Sequence, residues 1–343
     1  MLLFSDRRAS SLYAFIIGVC LFAFAPSGVA GNGANTVFAL RNHNPFLQVF
    51  GLPAFQTATL SVEGETDYAL SLDLANNADF GDSDTENLLI DGESYFLTLS
   101  ARRRISDWLE IGADIPLVTH NGGFMDGGIK KWHDMFGMSN TKRRGADDQL
   151  RYLYQANGST LYDLSSSASG IGDIQLTAAM PLREQSEHGY ALTLRSSIKL
   201  PTGDDKQLTG SGAVDFTTAL YASDTGTLLG RPFGMSGFAG ALLLGEGDVL
   251  STLQRDVVPF GGVSVSWWFA QRVSLSAQVQ AQGAYFDSAI EELGGSTIQL
   301  DVGFTWRPPA AKTCWKFAVV EDIQADATTD FALHFGIDTR CGS

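Results

Sequence analysis

The clearest pattern in the chain is an alternation of apolar and polar side chains near the C-terminus. Over residues 273–285 the odd positions are apolar or small, and the even positions are mostly Ser or Gln. A β-strand has a side-chain period of two, so this run is an amphipathic strand. Residues 256–269 and 296–307 repeat the alternation. Runs of about 9 to 13 residues are long for globular strands and suit tilted strands that cross a bilayer.

The alternation predicts an all-β protein, a transmembrane antiparallel up-and-down β-barrel of about twelve strands. An even number of strands returns the C-terminus to the side where the barrel began. We expect the strands at 57–73, 88–106, 107–118, 170–183, 188–201, 212–223, 232–245, 256–269, 272–287, 296–307, 313–322 and 329–338. Links after even strands are short and most links after odd strands are long, which predicts periplasmic turns and extracellular loops.

Five of the six tryptophans fall beside the predicted periplasmic turns. Tryptophan prefers the interface between membrane and water, so we expect one aromatic girdle at that end of the barrel. The girdle residues are Trp108, Trp267, Trp268, Trp306 and Trp315. Their position agrees with the orientation that the link lengths predict.

The N-terminus has the pattern of a secretory signal peptide. Arg7 and Arg8 precede an apolar run at 12–24, and small residues at 28–30 form a cleavage site after Ala30. We therefore expect a signal peptide at 1–30, an N-terminal periplasmic segment at 31–56, and the barrel at 57–343. The middle segment is either a simple leader or a plug in the periplasmic mouth, with Asn44, Pro45 and Phe46 among its residues. The expected location is the bacterial outer membrane.

Composition narrows the class of partner. The formal net charge is −15, which argues against nucleic acid. After the signal peptide, no stretch has the roughly 18 apolar residues of a transmembrane helix. Two cysteines remain in the exported chain, and we expect a disulfide between Cys314 and Cys341 because both lie at the periplasmic ends of the last two strands.

Charged residues of both signs fall on the predicted inner face of the barrel. One interpretation is an interior of ion pairs that stabilises a narrow barrel. The other is a polar conduit whose acidic and basic walls align a solute. The residues are Glu63, Glu65, Asp67, Arg102, Arg104, Glu110, Asp114, Asp173, Arg195, Lys199, Asp215, Asp301 and Lys316.

The long link 119–169 should contain a short helix, because Ile129, Trp132 and Phe136 share one helical face. Such a helix could lie on the outer leaflet, plug the mouth or fold over the lumen. A basic cluster follows it, formed by Lys142, Arg143 and Arg144. These three are candidates to bind lipopolysaccharide phosphates, and a solvated loop is the alternative.

Sequence motifs for catalysis are missing. The five histidines show neither an H-E-x-x-H motif nor a paired spacing for zinc, and there is no G-x-S-x-G. We therefore predict no catalytic residues, no metal and no cofactor, and a protein that is not an enzyme.

Several motifs resemble an uncharacterised family of Gram-negative outer-membrane proteins, known as a domain of unknown function. Residues 41–53 begin with RNHNPF and end with GLP, and the long link holds GGFMD at 122–126 and HDMFG at 133–137. LPTGD at 200–204 is similar to a strand-end loop in wider barrel families with presumed transport roles. The resemblance implies an outer-membrane location, and it implies neither a substrate nor a catalytic residue.

Two functions lead from the sequence, and an outer-membrane lipid hydrolase is a distant third. The first is a monomeric barrel that works as a channel or passive transporter for a small solute. The second is a closed structural or surface-interaction barrel that uses its long loop to bind lipopolysaccharide or a partner. Outer-membrane lipid surrounds the protein in both.

Overall fold

Twelve antiparallel strands form a closed barrel in the computed structural model, which describes residues 34–136, 147–186, 189–324 and 327–339. The barrel closes because the first strand pairs with the last, from Ala69 opposite Asp338 to Asn76 opposite Phe331. The barrel strands are β1 (Thr66–Asp82), β2 (Glu86–Ser106), β3 (Leu109–Asn121), β7 (Ile174–Arg183), β8 (Ala191–Leu200), β9 (Asp215–Leu228), β10 (Arg231–Leu243), β11 (Val257–Ala270), β12 (Val273–Gln282), β13 (Thr297–Trp306), β14 (Cys314–Gln324) and β15 (Phe331–Asp338). The predicted fold class is confirmed.

The alternation in the sequence separates an apolar exterior from a mostly polar interior. Leu70 and Leu99 are 43% and 50% exposed on the outside, whereas Ser94 and Ser274 are fully buried on the inside. A continuous apolar exterior is what strands that face lipid require. The described helices are all too short or too polar to cross a membrane.

The long link between β3 and β7 adds structure above the barrel. Helix α1 (Asp126–Phe136) is followed by the hairpin of β4 (Arg151–Ala156) and β5 (Ser159–Leu164), and β4 pairs with β2 to raise the wall. The short strand β6 (Ala168–Ile171) pairs with β3. A small helix, α2 (Glu291–Gly294), lies in the link before β13.

The two ends of the barrel differ in their links. At one end, which we call the turn end, the links 107–108, 229–230 and 271–272 have two residues each. At the other, the loop end, the longer links 201–214, 244–256 and 283–296 meet the hairpin β4–β5. The signal peptide predicted at 1–30 lies outside the described residues.

The first strand does not begin where the alternation placed it. The prediction was 57–73, but β1 begins at Thr66 and continues to Asp82, so the predicted link 74–87 shrinks to a turn at 83–85. Residues 57–61 are extended, yet their backbone bonds to inward-facing side chains of the wall, such as Ser223 and Glu110. The N-terminal segment therefore extends to residue 65, beyond the expected boundary at 56.

Residues 34–65, which we call the plug segment, run through the barrel as a long hairpin. At the turn end the Ala34 carbonyl accepts hydrogen bonds from Ser266 Oγ (2.8 Å) and Trp268 Nε1 (3.1 Å). The segment rises along β12, turns at 45–50 in the loop-end half, and descends along β8 and β9. It leaves at the turn end, where Gly64 N donates to the Arg104 carbonyl (2.9 Å).

Candidate functional site

The tip of the plug segment is embedded in an aromatic cluster that fills the loop-end half of the lumen. Phe50 is 1% exposed, and its ring lies 5.4 Å from that of Tyr285 and 5.7 Å from that of Phe286. Phe55 meets Phe238 edge to face at 4.8 Å. Aromatic contacts of this kind stabilise a packed core beyond the area they bury. The cluster therefore closes the lumen toward the loop end in this structure.

A buried ion-pair group fixes the backbone of the tip. The Lys199 ammonium lies 2.7 Å from Asp173 Oδ2 and 3.1 Å from Asp215 Oδ2, and it also donates to the Val49 carbonyl (2.9 Å). Asp215 Oδ2 in turn accepts from Gly51 N at 2.8 Å. A Cβ added at Gly51 would lie 3.1 Å from the Asp215 Cβ, so the close approach favours glycine.

A second buried ion pair holds the descending arm of the plug segment. Arg195 Nη1 lies 2.9 Å from Glu110 Oε1, and the two side chains are 3% and 1% exposed. Arg195 Nη2 donates to the Thr57 carbonyl (3.1 Å), and Glu110 Oε2 accepts from Ser61 N (2.7 Å). Charged partners that bond a backbone also satisfy polar groups that water cannot reach. Four of the charges predicted to line a lumen, Glu110, Arg195, Lys199 and Asp215, thus bind the plug segment.

The turn-end half of the lumen holds a cavity of about 940 Å³ between the plug segment and the barrel wall. Exposed residues such as Glu63 and Lys312 mark its mouth, and Asp114 and Asp173 lie near its inner end. Cavities of this volume are typical of sites for small molecules. Eight carboxylates line it, namely Glu63, Glu65, Asp67, Asp73, Asp114, Asp173, Glu184 and Asp338. Seven cationic side chains line it as well, namely Arg41, Arg102, Arg104, Arg183, Arg307, Lys312 and Lys316.

The inner end of the cavity combines residues of the wall and of the plug segment. Arg102 forms a two-pronged pair with Asp114, with Nη2 at 2.9 and 2.7 Å from the two carboxylate oxygens. Asp73 Oδ1 lies 2.6 Å from His334 Nδ1. Arg41 and His43 of the plug segment line the same space. The cavity therefore offers both signs of charge beside apolar surface.

The other predicted lumen charges are spread along the barrel. Glu63 and Glu65 were expected on the first strand. They precede β1 instead and are exposed at the mouth of the cavity. Asp67 lies at the start of β1 and lines the cavity. Asp301 is buried on the far wall, where it accepts from three glutamine amides. Those amides belong to Gln278, Gln280 and Gln299.

Two further predicted lumen charges form ion pairs near the mouth. Arg104 pairs with Glu184 of the link after β7. Lys316 Nζ lies 3.0 Å from Asp338 Oδ2 across the β14–β15 pair. Both pairs line the cavity, so the mouth has partnered charges beside the exposed acids.

Four of the five predicted girdle tryptophans face outward at the turn end. Trp108, Trp306 and Trp315 are exposed, and Trp267 is half-buried with its Nε1 donating to the Leu228 carbonyl. Trp268 is the exception. It is 4% exposed and points into the lumen, since adjacent strand residues face opposite sides.

The predicted plug residues Asn44, Pro45 and Phe46 are buried at the tip of the plug segment. Ile129 is buried on α1, whose N-terminus is tied to the lumen wall by Glu93, the acceptor of a hydrogen bond from Phe124 N (2.8 Å). Trp132 and Phe136 belong to α1, but their side chains lie outside the described part of the chain. Lys142, Arg143, Arg144 and Cys341 also lie outside the described residues.

Sequence reasoning missed Arg41, His43 and Asp73 as cavity residues. The sequence held a pattern that could have indicated two of them. The odd positions from Asn35 to His43 all line the cavity, as expected for an extended segment with a side-chain period of two. Among the described residues, no group of His, Cys, Asp and Glu is arranged to hold a metal ion.

Comparisons with known proteins agree with the barrel. Residues 13–341 match the model of a family described as "Protein of unknown function (DUF3187)". An outer membrane channel from Pseudomonas putida F1 is 14% identical, with 81% of this chain and 96% of that chain covered and a TM-score of 0.52. The toluene transporter TodX of Pseudomonas putida is 9% identical, with 89% and 98% covered and a TM-score of 0.39. No curated protein matches the sequence significantly.

Proposed function

Because the chain belongs to this family of unknown function, as the sequence resemblance indicated, we propose a function from the lumen itself. The protein is a channel of the bacterial outer membrane for a small polar solute, and residues 34–65 are its gate. The packed arrangement of residues 34–65 inside the barrel is the closed state of this gate. A solute enters the cavity from the turn end and passes when the plug segment moves.

The cavity of about 940 Å³ is the observation that carries this proposal. A barrel that served only as a scaffold would have its interior packed by side chains, as small barrels do. Here the loop-end half is packed, whereas the turn-end half is left open beside the plug segment and is lined by charged and polar groups. The plug segment separates this space from the loop end, so its position decides whether the lumen is continuous.

The membrane location follows from the exterior and from the links. Leucine, isoleucine, valine and aromatic side chains are exposed around the barrel wall, which would be unfavourable in water. The exposed tryptophans gather at the turn end, as expected for one membrane interface. We propose that the turn end faces the periplasm, because outer-membrane barrels have short periplasmic turns.

A permanently closed barrel is the second candidate, and the ion pairs of Lys199 and Arg195 favour it. Both pairs bind the plug backbone in a buried setting, so release of the plug segment has a considerable free-energy cost. Under this alternative the cavity would be a blind site at the periplasmic mouth.

A reversible crosslink of the plug segment to the wall distinguishes the two candidates. Ala58 N lies 2.9 Å from Ser223 Oγ, so the two positions are neighbours, and the pair Ala58→Cys and Ser223→Cys is introduced for oxidation to a disulfide that mass spectrometry verifies. In planar bilayers and in liposome swelling with small sugars and amino acids, we expect flux through the unmodified protein, no flux through the oxidised double variant, and recovery on reduction. Each single variant and the unmodified protein with reductant are the controls.

The outcomes separate cleanly. Absence of flux in every form would support the closed barrel and overturn the channel. Flux that persists through the oxidised double variant, with the crosslink verified by mass, would show that the plug segment is not the gate.

A further inference from the structure

The inner end of the cavity contains a cluster of three groups with unused bonding capacity. Arg41 and His43 belong to the plug segment, and Asp73 belongs to β1. We call these three residues the inner cluster. All three residues line the same cavity, so a small molecule that reaches its inner end would lie beside them.

Arg41 is the cation of the inner cluster. Among the residues that the structure describes, no carboxylate lies within 4 Å of its guanidinium, although Asp114, Asp73 and Asp173 attract it from farther away. Asp114 and Asp173 already have close partners, Arg102 at 2.7 Å and Lys199 at 2.7 Å, and Asp73 is bonded to His334 through Oδ1. Guanidinium binds carboxylates in a planar, two-pronged geometry, so Arg41 is suited to a carboxylate from a ligand.

His43 is the second unusual group. It is 3% exposed, and neither ring nitrogen has a hydrogen-bond partner in the described part of the chain. The ring is stacked on Phe96 with centroids 4.3 Å apart, which fixes its orientation. A buried polar group without a partner destabilises the fold, so the unpartnered ring of His43 points to a ligand or solvent molecule that completes the site.

Asp73 supplies the negative charge. Its Oδ1 is bonded to His334, whereas its Oδ2 has a contact of 3.6 Å with His43 Nε2 and no shorter hydrogen bond among the described residues. Oδ2 is therefore an acceptor available to a ligand ammonium. A donor for a carboxylate and an acceptor for an ammonium thus lie at one end of one cavity.

The charge balance decides which class of ligand fits. With eight carboxylates and seven Arg or Lys side chains in its lining, the cavity is close to neutral. A ligand with a net charge would lose its hydration in the cavity and gain no net electrostatic attraction from the lining. A zwitterion can place each of its two charges beside a lining group of opposite sign. Apolar lining from Val37, Ala39 and Phe55 accommodates an aliphatic body.

We propose that the cavity binds a small zwitterion of the α-amino acid type, with the carboxylate on Arg41, the ammonium on Asp73 Oδ2, and His43 completing the contact. This names the solute class of the channel proposed above and rests on that function for its physiological meaning. The binding site itself requires only the closed structure.

Three matched probes test the proposal in the full mature protein in detergent. L-leucine carries both charges, isocaproate lacks the ammonium, and isoamylamine lacks the carboxylate. Equilibrium dialysis should show saturable leucine binding and at least tenfold weaker binding of both analogues. Arg41→Gln and Asp73→Asn should each weaken leucine binding at least tenfold. Arg272→Gln, which removes an exposed arginine at the turn end, should leave it unchanged.

The wild-type comparison keeps the proposal testable even if a variant fails to fold. Equal binding of leucine and either analogue, or no leucine binding at all, would overturn it. If leucine fails to bind while the reversible crosslink still controls flux, only the solute class is wrong. If leucine binds and flux is absent in every form, the site is real and the channel is wrong.

Discussion

The buried pair of Arg195 and Glu110 should be the strongest single link between the plug segment and the barrel wall. Arg195→Met keeps much of the volume and the apolar contact of the side chain, but it removes the ion pair and the hydrogen bond to the Thr57 carbonyl. The Glu110 carboxylate is then left buried without its cation.

The structure allows the size of the effect to be worked out. Breaking a buried ion pair by removing one partner costs about 3–5 kcal/mol, because the remaining charge is uncompensated. The cavity lies nearby and provides some solvation, so we take the lower end, about 3 kcal/mol, for the docking of residues 57–61. At about 1.4 kcal/mol per factor of ten, opening of this arm should become roughly a hundredfold more frequent.

Amide hydrogen exchange reads out this opening directly. The Ala58 amide donates to Ser223 Oγ of β9 and not to either member of the ion pair, so its exchange reports release of the arm from the wall. We expect exchange at Ala58 to be roughly a hundredfold faster in Arg195→Met, and only slightly faster in Arg103→Met, which changes an exposed arginine of β2. The double variant with Glu110→Gln should recover part of the loss, since the lone buried charge is gone.

Unchanged exchange at Ala58 in Arg195→Met, with the barrel folded normally, would refute the reasoning. It would mean that the aromatic cluster and the Lys199 group hold the plug segment without help from this pair. If exchange at Ala58 is accelerated equally in the single and double variants, the lost packing of the arginine side chain, and not the unpaired carboxylate, is what releases the arm.

Three further predictions test the barrel itself. Leu99→Arg should cost about 2–4 kcal/mol because it faces lipid, whereas the adjacent Thr98→Arg, which lines the cavity, should assemble normally; equal defects in a heat-stability gel would contradict the face assignment. A tag at Gly158, the tip of the β4–β5 turn, should be labelled by antibody on intact cells and one at Ala310 only after permeabilisation; the reverse result would invert the proposed orientation. A disulfide between Cys314 and Cys341 should leave no cysteine open to alkylation in the unfolded, unreduced protein, and should contribute about 3 kcal/mol; two alkylated cysteines by intact mass would exclude it.

The sequence by itself determined the wall of the barrel. Each of the twelve barrel strands overlaps a predicted span, whereas the hairpin β4–β5 was not predicted; residues such as Leu99 and Phe335 lie outside as the alternation requires. This works because the period of two is local, and lipid on one face and a polar lumen on the other impose it on every strand. The helix at 126–136 was also readable, since its apolar spacing is a property of consecutive residues.

Only the tertiary structure decided the fate of residues 57–65. Leu60 and Val62 alternate with polar neighbours as a strand would, but the backbone at Ala58 and Ser61 bonds to side chains inside the barrel. The segment meets the backbone of β2 at an isolated bridge between Glu63 and Arg104 and forms no ladder there. An extended chain has a side-chain period of two whether it joins the sheet of the barrel wall or lies inside the lumen. The pattern therefore could not tell a wall strand from the arm of a plug.

The contents of the lumen were decided in the same way. Inward charges such as Glu110 and Arg195 were predicted, but their partnership spans 85 positions and exists only because the barrel closes. The two side chains bind the backbone at Thr57 and Ser61. Those contacts depend on the path of the plug segment through the barrel, which no local sequence pattern defines. The cavity, with Arg41, His43 and Asp73 at its end, is the space which that path leaves open, and such a space is a property of the whole packing.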